Sequence, residues 1–402
     1  MTDIPTDAEI EAVRRDIGRW LDANLVQPDF DLPQTFMGVS NDRQFRFLRD
    51  WQKRLHEAGF IGMSWPERFG GRGMHQMLQD AATHEMKRRR AHPMLNTVAL
   101  FWAGPLILEL GTEAMKEQHI AGILSADDLW CQGFSEPDHG SDLASITTRA
   151  VRDGDDYVIN GSKIWTSLAT YANHMILIAR TDPDPASRYR GMSFFLCPMD
   201  APGIEVRPIR KITGEYGFAQ VFFTDARISA SRMMGKEGEG WNVAMRALSY
   251  ERATAGGQGG GPISTYRTAA ADVIAFAKRQ RSDGTIPVAD PLVRDRLVRF
   301  AIDEAGMNLN HSRQRVPALV SEYPMAIPLM NKLVDSEYRL DITRFAAELL
   351  GPSGSGPLGH DETGQPSWML DYFNNFSGTI GGGSSQIQRN IIGERVLGLA
   401  KD

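Results

Sequence analysis

Apolar residues recur at two different periods along this chain, and the changes of period divide it into three. Near the start, Ile10, Val13, Ile17, Trp20 and Leu21 follow helical spacing, behind Thr6 and Glu9 placed as a capping box. DRQFRFLRDWQKRLHEAGF and MLQDAATHEMKRR keep that period, and WPERFGGRG (65–73) reads as a glycine-rich connection between helices. From about 130 to 235 the signal shortens. DDYVINGSKIWTS, ANHMILIART, MSFFLCPM, IEVRPI and AQVFFTDARIS are β-rich runs separated by Gly, Asp, Asn and Pro, as in antiparallel strands of a barrel or sandwich. Among them, Asn160-Gly161-Ser162-Lys163 carries the dipeptide of a tight hairpin. After Gly240 the helical period returns in TYRTAAADVIAFAKRQ, DPLVRDRLVRFAIDEAGMNL, LMNKLVDSEYRLDITRFAAELL and SQIQRNIIGERVLGL. The expected fold is α+β: a helical domain over 1–129, an antiparallel β domain over 130–239 and a helical domain over 240–402.

Composition narrows the class and leaves that outline intact. The 402 residues are 42% hydrophobic and 23% charged with a net charge of −6, which suits a globular chain and opposes a nucleic-acid surface. The basic run Lys87-Arg88-Arg89-Arg90 reads as a solvated helix face. Cys131 and Cys197 make neither a disulfide framework nor a zinc site. His84-Glu85 lacks the second histidine of a zinc-protease helix, so no metal is expected. The first residues have no apolar signal core, and no run of about 18 apolar residues occurs, so a cytoplasmic chain without a membrane span is expected. Gly354-x-Gly356-x-x-Gly359 matches a dinucleotide fingerprint in form only, because it follows a helix rather than a strand.

Three stretches carry candidate chemistry. Gln132 to Asp142, QGFSEPDHGSD, is a turn-rich loop of the kind whose amides and hydroxyls cradle an anion or a polar ring edge. Gly161 to Ser167 sets Trp165 among hydroxyls, a side chain that stacks on a flat ring. Read alone, the ordinary reading of each comes first: a structured loop and a half-buried strand tryptophan. The third, SYERATAGGQGGG (249–261), puts Glu251 and Arg252 ahead of Gly256, Gly257, Gly259, Gly260 and Gly261. That is either a bland loop or a catalytic base beside a pocket widened by missing side chains.

Together with the helical–β–helical order, these segments resemble the acyl-CoA dehydrogenase family over nearly the whole chain. WPERFGGRG looks like its early loop, FSEPDHGSD and KIWTS like its flavin loop and strand, FFTDARISASRMMGKEGEGW like the exit from its β domain, and SSQIQRNIIGERVLGL like its closing helix. The resemblance implies a C-terminal four-helix bundle and FAD between the last two domains. It also implies a homodimer or homotetramer, an acyl-CoA substrate and an electron-transferring flavoprotein as acceptor. Carried over by position, Gln132, Phe134 and Ser135 lie along the flavin, Gly140 and Ser141 reach its phosphates, and Trp165 and Ser167 flank its ring. Ser384 and Gln386 touch it from the closing motif, and Ser141, Tyr250 and Arg252 fall beside the acyl-CoA.

Removing a proton α to a thioester while hydride leaves the β carbon requires a carboxylate on one face of the acyl chain. Many members of the family carry it in the closing motif, where this chain has Gly382 in Gly381-Gly382-Gly383-Ser384-Ser385-Gln386. A second branch carries it on the first helix of the C-terminal domain, directly before an arginine, and Glu251-Arg252 matches that placement. The resemblance leaves Gly382 the role of oxyanion donor through its N–H. Two departures stand out: Gln280 and Asp283 replace the arginine and phenylalanine that reach the neighbouring subunit's FAD, and Glu348 replaces a glutamine before Gly351-Pro352. The competing readings are a flavin-dependent oxidase or monooxygenase on the same fold, and a non-catalytic partner subunit of a hetero-oligomer.

Overall fold

A computed structural model describes residues 4–255, 263–281, 284–313, 316, 319–320, 323, 326–351, 358 and 367–401. The glycine run 256–261, Asp283 and the glycines at 354, 356 and 359 lie outside the described residues. The rest falls into two compact units, one up to Thr254 with 263–265 and one from Tyr266 onward.

The first unit opens with helices α1 (Asp7–Asn24), α2 (Asp42–Glu57), α3 (Gln76–Arg88), α4 (Gly104–Leu110) and α5 (Glu113–Ser125). The Thr6 hydroxyl accepts from the Glu9 amide, and the Thr6 amide donates to Glu9 Oε2 at 2.7 Å, completing the capping box. The stripe on α1 buries Ile17 and Leu21, and Trp20 lies 5.3 Å from Trp51 of α2, ring to ring.

Eight strands follow among the described residues: β1 (Trp130–Gly133), β2 (Arg149–Asp153), β3 (Asp156–Ser167), β4 (His174–Arg180), β5 (Met192–Pro198), β6 (Ile204–Ile209), β7 (Phe218–Ser229) and β8 (Met233–Met234). Their order is β6-β7-β3-β2-β4-β5-β8, with β1 alongside β4. The ladders are antiparallel except for β1 on β4 and the single bridge between Arg149 and Arg180. β4 and β5 read as unbroken apolar runs because both faces are covered. Ile176, Ile178, Phe194 and Leu196 join the core shared with the helices, while Met175, Leu177, Phe195 and Cys197 fill the interior of the β domain.

The hairpin expected at Asn160-Gly161 does not form there. β3 runs straight through it, and the tight turn lies earlier, where Asp153 pairs with Asp156 around Gly154 (φ +64°). Asn160 instead exchanges two 3.0 Å hydrogen bonds with Asp225 of β7, at a bulge between Ile159 and Gly161. Gly161 has φ +142°, and a Cβ there would sit 2.7 Å from the Thr148 Cα. Cross-strand pairing over the length of β7 outweighs the local turn preference.

Helix α6 (Gly240–Ala255) packs Val243, Ala244 and Ala247 into the core shared by the first helices and the β4–β5 face. In the second unit, α7 (Ala270–Ala277), α8 (Pro291–Arg313), α9 (Ala326–Leu350) and α10 (Trp368–Asn375) surround Val273, Phe300, Ile342, Phe345 and Trp368, and α11 (Ser385–Ile391) packs against α9. There Arg267 lies over Trp368 at 4.1 Å and pairs with buried Asp371 at 2.8 Å.

Candidate active site

The loop after β1 is held from inside. Buried Glu136 accepts from the Thr147 amide at 2.7 Å, the Thr147 hydroxyl at 2.8 Å and the Thr148 amide at 2.8 Å. Fully buried Lys163 donates to Glu136 Oε1 at 2.9 Å and to the Phe134 carbonyl at 3.1 Å. Burial favours the neutral form of Glu136, but the Lys163 charge and the converging donors outweigh it and hold the carboxyl down at about 2. Burial pushes Lys163 down to about 8 against the opposing pull of Glu136. The Ile164 amide also donates to the Ser135 carbonyl at 2.9 Å, so the loop and β3 are joined. With its base fixed, the tip presents Gly140 and Ser141 to solvent.

Trp165 lies at a second bulge of β3, between Lys163 and Thr166, with φ +59° and 58% of its surface exposed. A large aromatic in the left-handed region is costly, and its exposure makes a flat apolar platform with Phe218 edge-on at 6.1 Å. Ser167 follows, half-buried and paired with Phe218. Phe134 is different: its ring is buried edge-on against Phe194, leaving only its backbone for a ligand.

Glu251 sits half-buried on α6, and the Gln132 side chain of β1 donates from Nε2 to its Oε2 at 3.3 Å. Next to it, Tyr250 donates to Glu109 Oε2 at 2.6 Å, and Arg246 donates to the same oxygen at 2.7 Å. Burial and the Glu109 partner push the Tyr250 phenol up to about 12. Arg252 is half-buried one residue further on. Within the first unit the fold therefore joins Gln132 to Glu251 across 119 residues.

The closing motif belongs to the second unit. Gly382 and Gly383 have φ +66° and +92°, so the turn itself favours glycine at both positions. Buried Lys332 donates to the Gly378 carbonyl at 3.0 Å and the Gly383 carbonyl at 2.6 Å. Ser384 caps α11 by accepting from the Ile387 amide, and Gln386 is exposed on that helix. Gln280 turns back onto the Gly284 carbonyl at 3.1 Å, and Glu348 pairs with Arg296 at 2.9 Å.

Sequence reading did not single out the Glu136–Lys163 pair. The signal was present: alternation along β3 buries Tyr157, Ile159 and Lys163 on one face, and an inward lysine needs a buried partner. Nor did it find His119, Asp128 and His174, whose ligand atoms lie within 4.8 Å of one another. His119 Nδ1 is 2.9 Å from Asp128 Oδ2, and His174 Nε2 is 3.6 Å from Oδ1. The far nitrogens, His119 Nε2 and His174 Nδ1, are buried without a hydrogen-bond partner among the described residues. Metal-bound imidazoles rest their second nitrogen on an acceptor, so the trio reads as ionised Asp128 hydrogen-bonded to His119 with His174 close beside it. The basic run likewise does more than face solvent: Arg88 and Arg89 clamp buried Glu85 and hold it down at about 2.

Comparison with known proteins covers the same ground. Three family models match in order: acyl-CoA dehydrogenase N-terminal domain over residues 36–127, middle domain over 131–226 and C-terminal domain over 238–397. The acyl-CoA dehydrogenase IpdE1 of Mycobacterium tuberculosis (strain ATCC 25618 / H37Rv) is 35% identical over 401 residues, 98% of this chain and 99% of the relative. Among solved structures, the Tcur3481-Tcur3483 steroid ACAD aligns with a TM-score of 0.80 at 28% identity, covering 100% of both chains. The ChsE4-ChsE5 complex from Mycobacterium tuberculosis aligns with a TM-score of 0.76 at 25% identity, again over 100% of both.

Proposed function

Because the chain belongs to the acyl-CoA dehydrogenase family of FAD-dependent enzymes, we propose that it oxidises an acyl-CoA thioester to the trans-2-enoyl-CoA, with Glu251 as the base. The observation that carries this reading is the Glu251 carboxylate on α6, oriented by Gln132, in a chain whose closing motif has only Gly382. When bound, FAD supplies the acceptor for the two electrons that leave the β carbon. Trp165 would offer its ring to the flavin, Gln132 and the backbone of Phe134 and Ser135 would run beside it, Gly140 and Ser141 would meet its phosphates, and Ser167, Ser384 and Gln386 would complete the set. The exposed platform and a rigidly anchored loop with an open tip fit such a group. Glu251 takes the α proton, and the Gly382 N–H stabilises the charge that develops on the thioester oxygen. Tyr250 and Arg252 border the acyl-CoA, and an electron-transferring flavoprotein removes the electrons.

The proposed substrate is bulky: a branched, cyclic or steroid side-chain thioester. The glycine run after Glu251 and the likeness to a steroid ACAD support it. A second reading makes this chain one half of a hetero-oligomer. The paired names of two structural relatives and the replacement of the inter-subunit arginine and phenylalanine by Gln280 and Asp283 favour it.

The test is Glu251→Gln. It should retain FAD and lose flavin bleaching by substrate, with a fall of at least about 10²–10⁴-fold in rate. Activity within a few-fold of wild type removes Glu251 from the mechanism. A panel of acyl-CoAs, read as kcat/KM, should rank a ring-bearing thioester above butyryl-CoA. A colourless protein when purified alone, turning yellow only beside a second chain, selects the hetero-oligomer.

A further inference from the structure

We propose that Gln132 is the positioning residue of the base, its carboxamide serving both protonation states of Glu251; this rests on Glu251 being the α-proton acceptor. Gln132 lies in β1, in register with Ile176 of β4, between fully buried Cys131 and buried Gly133. Glu251 lies on α6, whose Ala244 and Ala247 are locked in the core that also holds Trp130 and Phe134. The 3.3 Å contact from Nε2 to Oε2 therefore joins two rigid backbones.

The chemistry asks for such a side chain. An ionised carboxylate only accepts hydrogen bonds, whereas a carboxylic acid also donates one. As the α C–H bond breaks, its electron pair stays on the thioester as the enolate, and the proton forms an O–H bond on Glu251. The base thus changes from acceptor to donor in one step. A carboxamide offers both an N–H and a C=O, exchanged by rotation about a broad, roughly two-fold terminal torsion. Gln132 donates to the carboxylate before transfer and accepts from the acid afterwards, so neither state is left unsatisfied in a partly buried site. A cation in its place would hold the carboxylate charged and oppose proton uptake. A hydrocarbon would offer neither the donor nor the acceptor.

The experiment separates proton transfer from electron transfer. FAD-loaded wild type, Gln132→Met and Gln132→His are incubated in D2O with a 3-thia acyl-CoA, which has an acidic α proton but no β hydrogen to give up. α-Deuterium incorporation is followed by mass spectrometry, and flavin per chain by absorbance. Gln132→Met should keep its flavin and exchange about ten- to hundred-fold more slowly. Gln132→His keeps a donor and an acceptor at similar reach and should recover most of that loss. Wild-type exchange in Gln132→Met overturns the proposal, as does a Gln132→His as slow as Gln132→Met. A Gln132→Met protein that loses FAD but exchanges normally once reconstituted assigns Gln132 to the cofactor and overturns it too. Glu251→Gln is the control: exchange persisting there sinks the underlying reading of the base, whatever Gln132 does.

Discussion

Lys163 shows how much one residue decides. It occupies an inward position of β3, where a hydrophobic side chain would be the ordinary choice, and its charge is tolerable because Glu136 meets it at 2.9 Å. Glu136→Gln leaves that ammonium buried with a neutral partner, and a loss of about 3–5 kcal/mol is expected at pH 7. The pH dependence has a definite sign. The folded carboxyl is held at about 2 against an ordinary 4.5, so its contribution is fully present above 4.5 and disappears as pH falls through about 2. Thermal melts of wild type and Glu136→Gln should therefore converge as pH drops from 4.5 towards 2. A gap that stays constant over that window would exclude the ion pair as its source. The motif residues were visible in the sequence, but the partner of Lys163 was not, because it stands 27 positions away along the chain.

Elements were legible where the pattern was local. α1 runs from its capping box to Asn24 and β7 spans Phe218–Ser229, close to where periodicity places them. Asn160-Gly161 was misleading because the same dipeptide suits a hairpin turn and a bulge, and only the partner strand distinguishes them. Gly161→Ala tests this assignment. The methyl group meets the Thr148 backbone and the backbone stays at φ +142°, so a loss on the order of 2 kcal/mol is expected from urea unfolding. In a hairpin turn open to solvent, the same change would cost less. α6 behaves in the opposite way. Its place on a helix came from the resemblance rather than from a period read along the chain, and its apolar face is used by the β4–β5 core, which a one-dimensional pattern does not reveal.

At the scale of the molecule, α8 leaves Val298, Ile302 and Leu309 exposed. At about 100° per residue they fall within about 40° of one another on the helix. Such a stripe is the kind of surface that association covers, and we propose it as a contact of the expected oligomer. Ile302→Glu combined with Leu309→Glu should lower the mass measured by light scattering without unfolding the helix, since both positions are exposed. An unchanged mass would place the interface elsewhere.

Periodicity, turn residues and five ordered motifs were enough to fix the helical–β–helical order, the family and its cofactor, because each is written in residues near one another or in whole-chain order. Folding was needed to bring Gln132 to Glu251, Glu136 to Lys163, and Asp128 to His119 and His174. These contacts span from 9 to 119 residues and depend on how sheet and helices share a core. No local propensity encodes which buried charge meets which partner. That is settled when the apolar faces pack and the charged groups left inside are stable only where they meet a partner.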